Sequence, residues 1–265
     1  MLANAMVMVE IGAGALLLIM FVMWLISLRI RNAGIVDVGW AIGLVLLALW
    51  YACDGSGFSA RRWVLAGMVG FWGLRLAIHL LQRISREPED GRYQQIRRDW
   101  HGKNVNLRFL FFFEAQALLD IVLSLPMLIS ALNPNQQITV LEYLGIFLWL
   151  GAVIGESVAD AQLAAFKRNA ENRGKVCRNG LWNYSRHPNY FFEWLVWVAW
   201  ALYALASPWG WLAFVCPGLM FFFLFRVTGI PATEAQALRS RGEEYARYQQ
   251  TTSAFVPWFK KSPVV

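Results

Sequence analysis

The chain has 265 residues, of which 58% are hydrophobic and only 15% charged, whereas about a quarter of the residues in a soluble domain are charged. Its net charge of +7 would suit nucleic acid, but apolar runs of about 18 residues or more point instead to a membrane protein whose basic residues sit in loops. Three scattered cysteines (Cys53, Cys177, Cys216) form no CxxC pair, so neither a disulfide framework nor a paired-cysteine zinc site is expected; they read as small packing residues.

In chain order, the apolar runs predict seven spans, at about 10–28, 34–52, 62–82, 107–131, 138–162, 190–206 and 208–227. No Lys or Arg precedes the first, so it does not read as a cleavable signal. Asp54-Gly-Ser-Gly57, Asn133-Pro-Asn135 and Ser207-Pro208 punctuate the spans, and Pro126 and Pro217 fall inside two of them. With the N-terminus outside, the inner segments are the 29–33 turn, the 83–108 loop, the 163–189 loop and the tail 228–265 with Arg226. They hold 21 of the 24 Lys and Arg residues. The positive-inside rule therefore predicts one all-α, seven-span bundle with its N-terminus outside and its C-terminus cytoplasmic.

Polar residues within the spans share one depth. Asp37, Arg75 and His79, Glu114 and Gln116, Glu156 and Asp160, and Asn189 and Glu193 all fall in the inner halves of five spans. Polar groups are costly beside lipid, so the pattern predicts one hydrated pocket open to the cytoplasm. Its basic rim suits phosphates. Walker, Rossmann, HExxH and GxSxG patterns are all missing. The residues by themselves point to an anionic cofactor and an apolar substrate drawn from the bilayer.

The stretch Gly180-Leu-Trp-Asn-Tyr-Ser-Arg-His-Pro-Asn-Tyr-Phe-Phe-Glu193 resembles the C-terminal signature of the steroid 5-alpha-reductase family, most closely its bacterial branch. Further matches are Ile35-Val-Asp-Val-Gly-Trp40, Trp72-Gly-Leu-Arg75, Glu89-Asp-Gly-Arg-Tyr93, Glu156-Ser-Val-Ala-Asp-Ala-Gln162 and the tail from Gly229 to Pro257. The resemblance implies a seven-span membrane enzyme that uses NADPH to reduce the carbon–carbon double bond of an enone. It places Asp160, Asn189 and Glu193 at the ribose and nicotinamide, and Lys167, Arg168 and Arg173 at the phosphates. Arg75, Arg83 and Arg92 contribute from the other inner loop, and Tyr245 and Tyr248 close over the cofactor. His79, Tyr93, Glu156, Asn172, Tyr184, Arg186, His187 and Glu234 complete the implied cofactor set.

The animal enzymes grip the substrate carbonyl with a Glu and a Tyr, and approximate matching puts Asp37 and Trp72 at those positions. Asp37 and Trp72 are thus the expected catalytic residues, with Gln116 beside them at the substrate. Asp37 must carry a proton to donate, and an indole cannot supply a phenol's proton. Glu156 stands where those enzymes have Asn, and His79 where they have Tyr. The expected protein is a monomer working on a steroid-like lipid in a bacterial inner membrane, with no metal and no nucleic-acid partner. Two rivals remain. An S-adenosylmethionine-dependent methyltransferase similar to the isoprenylcysteine carboxyl methyltransferases carries a similar C-terminal element but needs fewer cations. A non-enzymatic lipid-binding protein needs no convergence of Asp160, Asn189 and Glu193.

Overall fold

The computed structural model describes residues 2–102, 104–227 and 229–260. Helices are α1 (Leu2–Ile30), α2 (Ile35–Asp54), α3 (Ser59–Arg86), α4 (Gly91–Asp99), α5 (Val105–Leu123), α6 (Leu125–Ala131), α7 (Val140–Arg168), α8 (Pro188–Ala204), α9 (Val215–Phe222) and α10 (Ile230–Thr251). No strand occurs among the described residues; the one bridge pairs Ser185 with Ser253. Five helical segments are long and apolar enough to cross a membrane, or six if the bent pair α5–α6 is one span. These helices mark a membrane protein. The 41° bend between α5 and α6 comes just before Pro126, whose missing N–H and ring prevent a straight continuation. The 17-residue α8, also apolar, is shorter than a typical span.

The chain forms two compact units, one of Met1–Thr139 with Ala204–Leu212 and one of Val140–Tyr203 with Ala213–Val265. In the first unit, the buried residues of α1 among those described are Met8, Gly12, Leu16 and Met20, an i, i+4 stripe, and Ser27 near its end. Glycines let the helices touch closely. A Cβ on Gly12 would come within 2.8 Å of Leu47, and one on Gly39 within 3.0 Å of the Met20 sulfur. Gly43 makes room for the fully buried Asp120 carboxyl of α5, whose Oδ2 lies 2.5 Å from where a Cβ would stand. Arg61 is fully buried and donates to the carbonyls of Asn133, Asn135 and Gln137, closing the turn that precedes α7 in sequence.

In the second unit, α8 forms the core. Trp197, Ala199, Trp200, Ala201 and Tyr203 are all fully buried. Helix α7 meets α8 through Gly145, which lies against the backbone of Ala199 and Tyr203, and through Gly155, which lies against the Phe192 ring. The Trp and Phe stripes of this segment are therefore packing surface. Helix α10 carries six charged residues and is not itself a span; it is broken at Gly242, whose φ of 52° and ψ of −130° suit only glycine.

A pair of alanine substitutions tests the close approaches. A Cβ on Gly57 would meet backbone oxygens of Asn133 and Ala131 at 2.6 and 2.7 Å, atoms that cannot move aside, whereas Gly67 on α3 has nothing within 4 Å. Thermal unfolding in detergent should show Gly57→Ala destabilised by ~1–3 kcal/mol. Gly67→Ala should be neutral, or stabilised by up to ~1 kcal/mol through helix propensity.

Candidate functional site

The polar residues expected to share one pocket fall into groups within each unit. In the first unit, the start of α2 and the 83–93 segment make a charge cluster. The Tyr93 hydroxyl donates to Asp37 Oδ1 at 2.6 Å, while Asp37 Oδ2 lies 3.3 Å from Arg92 and 4.0 Å from Arg83. The same arginines pair with Asp90, at 3.1 and 3.3 Å. Asp90 also caps α4 by accepting from the Arg92 backbone N–H at 2.9 Å. Burial pushes the Asp90 carboxyl up, but the Arg92 charge and hydrogen bonds outweigh it and hold it below the usual carboxylate range. Burial, then the charge of Asp37, pushes the Tyr93 phenol well above its ordinary value.

Two carboxylates thus meet two guanidiniums. Arg83 and Arg92 are matched by Asp37 and Asp90 rather than standing ready for phosphates. Asp37 is contacted on both oxygens, by Tyr93 on Oδ1 and by Arg92 and Arg83 on Oδ2. Trp72 is fully buried and lies edge-on to Trp40 at 5.7 Å. Arg75 and Gln116 are half-buried and His79 is exposed. Asp90 was missed, although Asp-Gly before a polar helical segment is an N-cap signal.

The second unit holds a cavity of about 650 Å³. Its walls are the end of α7, the 169–177 loop, the 182–190 segment and one side of α10. Six cations line it (Lys167, Arg168, Arg173, Lys175, Arg186 and Arg241), with no Asp or Glu among the lining residues. Of the expected cofactor residues, Lys167, Arg168, Asn172, Arg173, Arg186, His187, Asn189, Tyr245 and Tyr248 line it. Glu156, Asp160, Tyr184, Glu193 and Glu234 do not. Asp160 instead accepts from the Asn189 amide at 3.3 Å, and Glu193 accepts from Trp197 one turn along α8 at 3.3 Å. Tyr184 is largely exposed, and its carbonyl accepts from the Trp258 N–H.

Sequence reasoning missed Trp182, Tyr190 and Arg241 in the wall. Arg241 precedes the break at Gly242, so helical spacing from Tyr245 could not place it. Its Nε donates to the Lys175 carbonyl at 3.0 Å, which ties the basic loop to α10.

The signature segment is strapped in place by its own polar groups. Gly180, at φ +56°, packs its α-carbon on the Gln162 amide, and Gln162 accepts from the Leu181 N–H at 2.9 Å. The Trp182 indole donates to the Ala159 carbonyl at 2.8 Å. Ser185 Oγ donates to the Phe255 carbonyl at 2.7 Å, and the Arg186 N–H donates to the Ser253 carbonyl at 2.9 Å. The Tyr248 hydroxyl donates to the carbonyls of Trp182 and Ser185. Arg186 donates from Nε to Glu234 at 2.6 Å, and from one terminal nitrogen to the carbonyls of Gln249 and Thr252 at 2.9 and 2.6 Å. His187 lies 3.1 Å from Glu234 through Nε2 and stacks on Tyr190 at an interplanar angle of 8°.

Burial raises the Glu234 carboxyl, but hydrogen bonds from His187 and Arg186, the Arg186 charge and a bond from Gln249 together hold it at about 2. Burial, then the Glu234 charge, pushes the Tyr245 phenol up to about 12.

Residues 23–252 match the family model described as a protein of unknown function (DUF1295). The chain belongs to this family. It is also similar to an uncharacterized protein of Schizosaccharomyces pombe, with 25% identity over 268 aligned residues that cover 89% of this chain and 76% of the relative. No solved structure matches it.

The Glu234 clamp has a defined acid limit. A folded value below the unfolded one gives stability that is complete above about 4.5 and lost as pH falls towards about 2. The difference in unfolding temperature between the wild type and Glu234→Gln should therefore be largest near neutrality and shrink across that window.

Proposed function

We propose that this chain is a membrane-embedded, NADPH-dependent reductase of the steroid 5-alpha-reductase type, acting on the carbon–carbon double bond of a flat, hydrophobic enone drawn from the bilayer. The observation that carries the proposal is the cavity wall of Lys167, Arg168, Arg173, Lys175 and Arg241 with no carboxylate among the lining residues; the sixth lining cation, Arg186, is already paired with Glu234. Like charges brought together without compensation repel, so a ligand of opposite charge is what makes such a wall favourable. The volume, about 650 Å³, falls in the range of small-molecule and cofactor sites, ~300–1,000 Å³. S-adenosylmethionine carries a cationic sulfonium and gives no reason for the five lining Lys and Arg side chains that have no carboxylate beside them.

The residues fit a phosphorylated dinucleotide. Lys167, Arg168, Arg173 and Lys175 hold phosphates, including the 2′-phosphate. Asn189, steadied by Asp160, offers its amide to the polar ring substituents. Tyr245 and Tyr248 form the wall on the α10 side. Bound there, NADPH supplies a hydride. The carbonyl of the enone must then be polarised while charge develops on its oxygen. The group proposed for that task is Asp37, whose carboxyl is held in the first unit by the Tyr93 hydroxyl and the Arg92 guanidinium.

Seven crossings are proposed: α1, α2, α3, α5–α6, α7, α8 and the run from Gly210 to Val227. The N-terminus lies outside, and the basic loops and C-terminus face the cytoplasm of a bacterial inner membrane. The protein works as a monomer.

Two measurements test this reading. Purified protein in lipid nanodiscs should bind NADPH more tightly than NADH and leave S-adenosylmethionine unbound. Arg173→Ala and Lys167→Ala should each weaken NADPH by about tenfold or more, as expected for a lost charged hydrogen bond. Binding of S-adenosylmethionine in place of NADPH would move the protein to the methyltransferase class. With a 3-oxo-4-ene steroid, Asp37→Asn and Tyr93→Phe should lower kcat by about a hundredfold with little change in NADPH affinity. A loss of affinity at constant kcat would place both residues at the cofactor instead.

A further inference from the structure

Glu234 stands outside the cavity but touches a residue that lines it. Its carboxylate accepts from Arg186 Nε at 2.6 Å and from Gln249 Nε2 at 2.8 Å, and it meets His187 Nε2 at 3.1 Å. An ionised carboxylate only accepts hydrogen bonds, so the proton between these groups belongs to Nε2. The imidazole cannot turn to exchange its two nitrogens. Its face stacks on Tyr190 with ring centroids 5.4 Å apart, its backbone N–H is bonded to Ser185 Oγ at 3.1 Å, and its side chain is 4% exposed. Nδ1 makes no hydrogen bond to any described residue, although His187 belongs to the cavity wall.

We infer that Glu234 is a positioning residue for the cavity: it fixes His187 with the proton on Nε2 and presents Nδ1 to the ligand as a hydrogen-bond acceptor. The neighbouring Lys, Arg and Asn side chains supply N–H donors that suit phosphate oxygens. A neutral imidazole with its one N–H already engaged repels such an oxygen and selects a donor. His187 therefore recognises a hydroxyl or an amide N–H of the ligand. Assigning that donor to a ribose hydroxyl or carboxamide rests on the dinucleotide reading proposed above, whereas the tautomer does not.

Nitrogen-15 NMR of histidine-labelled protein in nanodiscs reads the tautomer directly. The chain has three His residues, and His187→Gln identifies the signal. Ligand-free wild-type protein at neutral pH should show protonated Nε2 and bare Nδ1; the opposite tautomer, or an even mixture, overturns the inference. NADPH should shift the Nδ1 signal in the direction of an accepted hydrogen bond, and inorganic pyrophosphate should leave it in place. A pyrophosphate-induced shift towards protonation would make His187 a phosphate ligand and defeat the acceptor role. If NADPH fails to bind at all, the dinucleotide reading falls, while the ligand-free tautomer still decides the role of Glu234. Glu234→Gln should mix the tautomers and weaken NADPH by about tenfold, the size of one lost hydrogen bond. Glu234→Asp should restore the wild-type tautomer. A variant that melts earlier with the His187 signal unchanged would reduce Glu234 to a structural pin.

Discussion

A buried guanidinium ties the second unit together. Arg186 is about one-tenth exposed, and a charge so far removed from water is tolerated only when its donors are matched. It is matched three ways, by Glu234 at the start of α10, by the Gln249 carbonyl near its end, and by the carbonyl of Thr252, the residue that follows. Because those partners lie at both ends of a helix broken at Gly242, Arg186 sets the distance between the ends. The tail is held by the same neighbourhood through Ser185 and Phe255. Removing this one side chain would take one of its three donors from the Glu234 carboxylate and leave two carbonyls without the Arg186 bond, so the 180–193 segment, α10 and the tail depend on it together.

The two units use arginine in opposite ways. Around Asp37, each guanidinium has a carboxylate within reach, and the cluster is complete without any further partner. Around the cavity, Lys167, Arg168, Arg173 and Lys175 share a wall that contains no acid. A compensated cluster stabilises a loop, while an uncompensated one attracts a ligand. Formal charge alone cannot separate these cases, since both loops are basic in sequence.

That distinction marks where the sequence was legible. The apolar runs located the long apolar helices α1, α2, α3 and α7, and Pro126 located the bend, because span length and the missing proline N–H act within a few residues; the polar 22-residue α10 lay outside every run. The cation wall was legible for Lys167, Arg168 and Arg173, which are close in sequence. Arg83 and Arg92 were read as phosphate ligands because nothing local shows which acid meets them; their pairing with Asp37 joins residues more than forty apart. Trp72 was read as a substrate contact by position, whereas its indole is consumed by packing against Trp40. Arg241 lay hidden behind a glycine whose conformation, not its spacing, decides where the preceding side chain points.

The same contacts explain why the Arg-His-Pro-Asn-Tyr element occurs in enzymes of different chemistry. Within it, Arg186 binds backbone carbonyls and Glu234, Pro188 opens α8 at a position where a missing N–H is harmless, and Tyr190 supports the His187 ring. These tasks fasten a loop to a helix; they do not distinguish a hydride donor from a methyl donor. Discrimination has to come from side chains that face the cavity without a fastening role. In this chain those are the cations of the 167–175 segment, Asn189, and the free edge of His187. The element fastens the scaffold, and the dinucleotide proposed for this chain rests on the charge of the wall beside it.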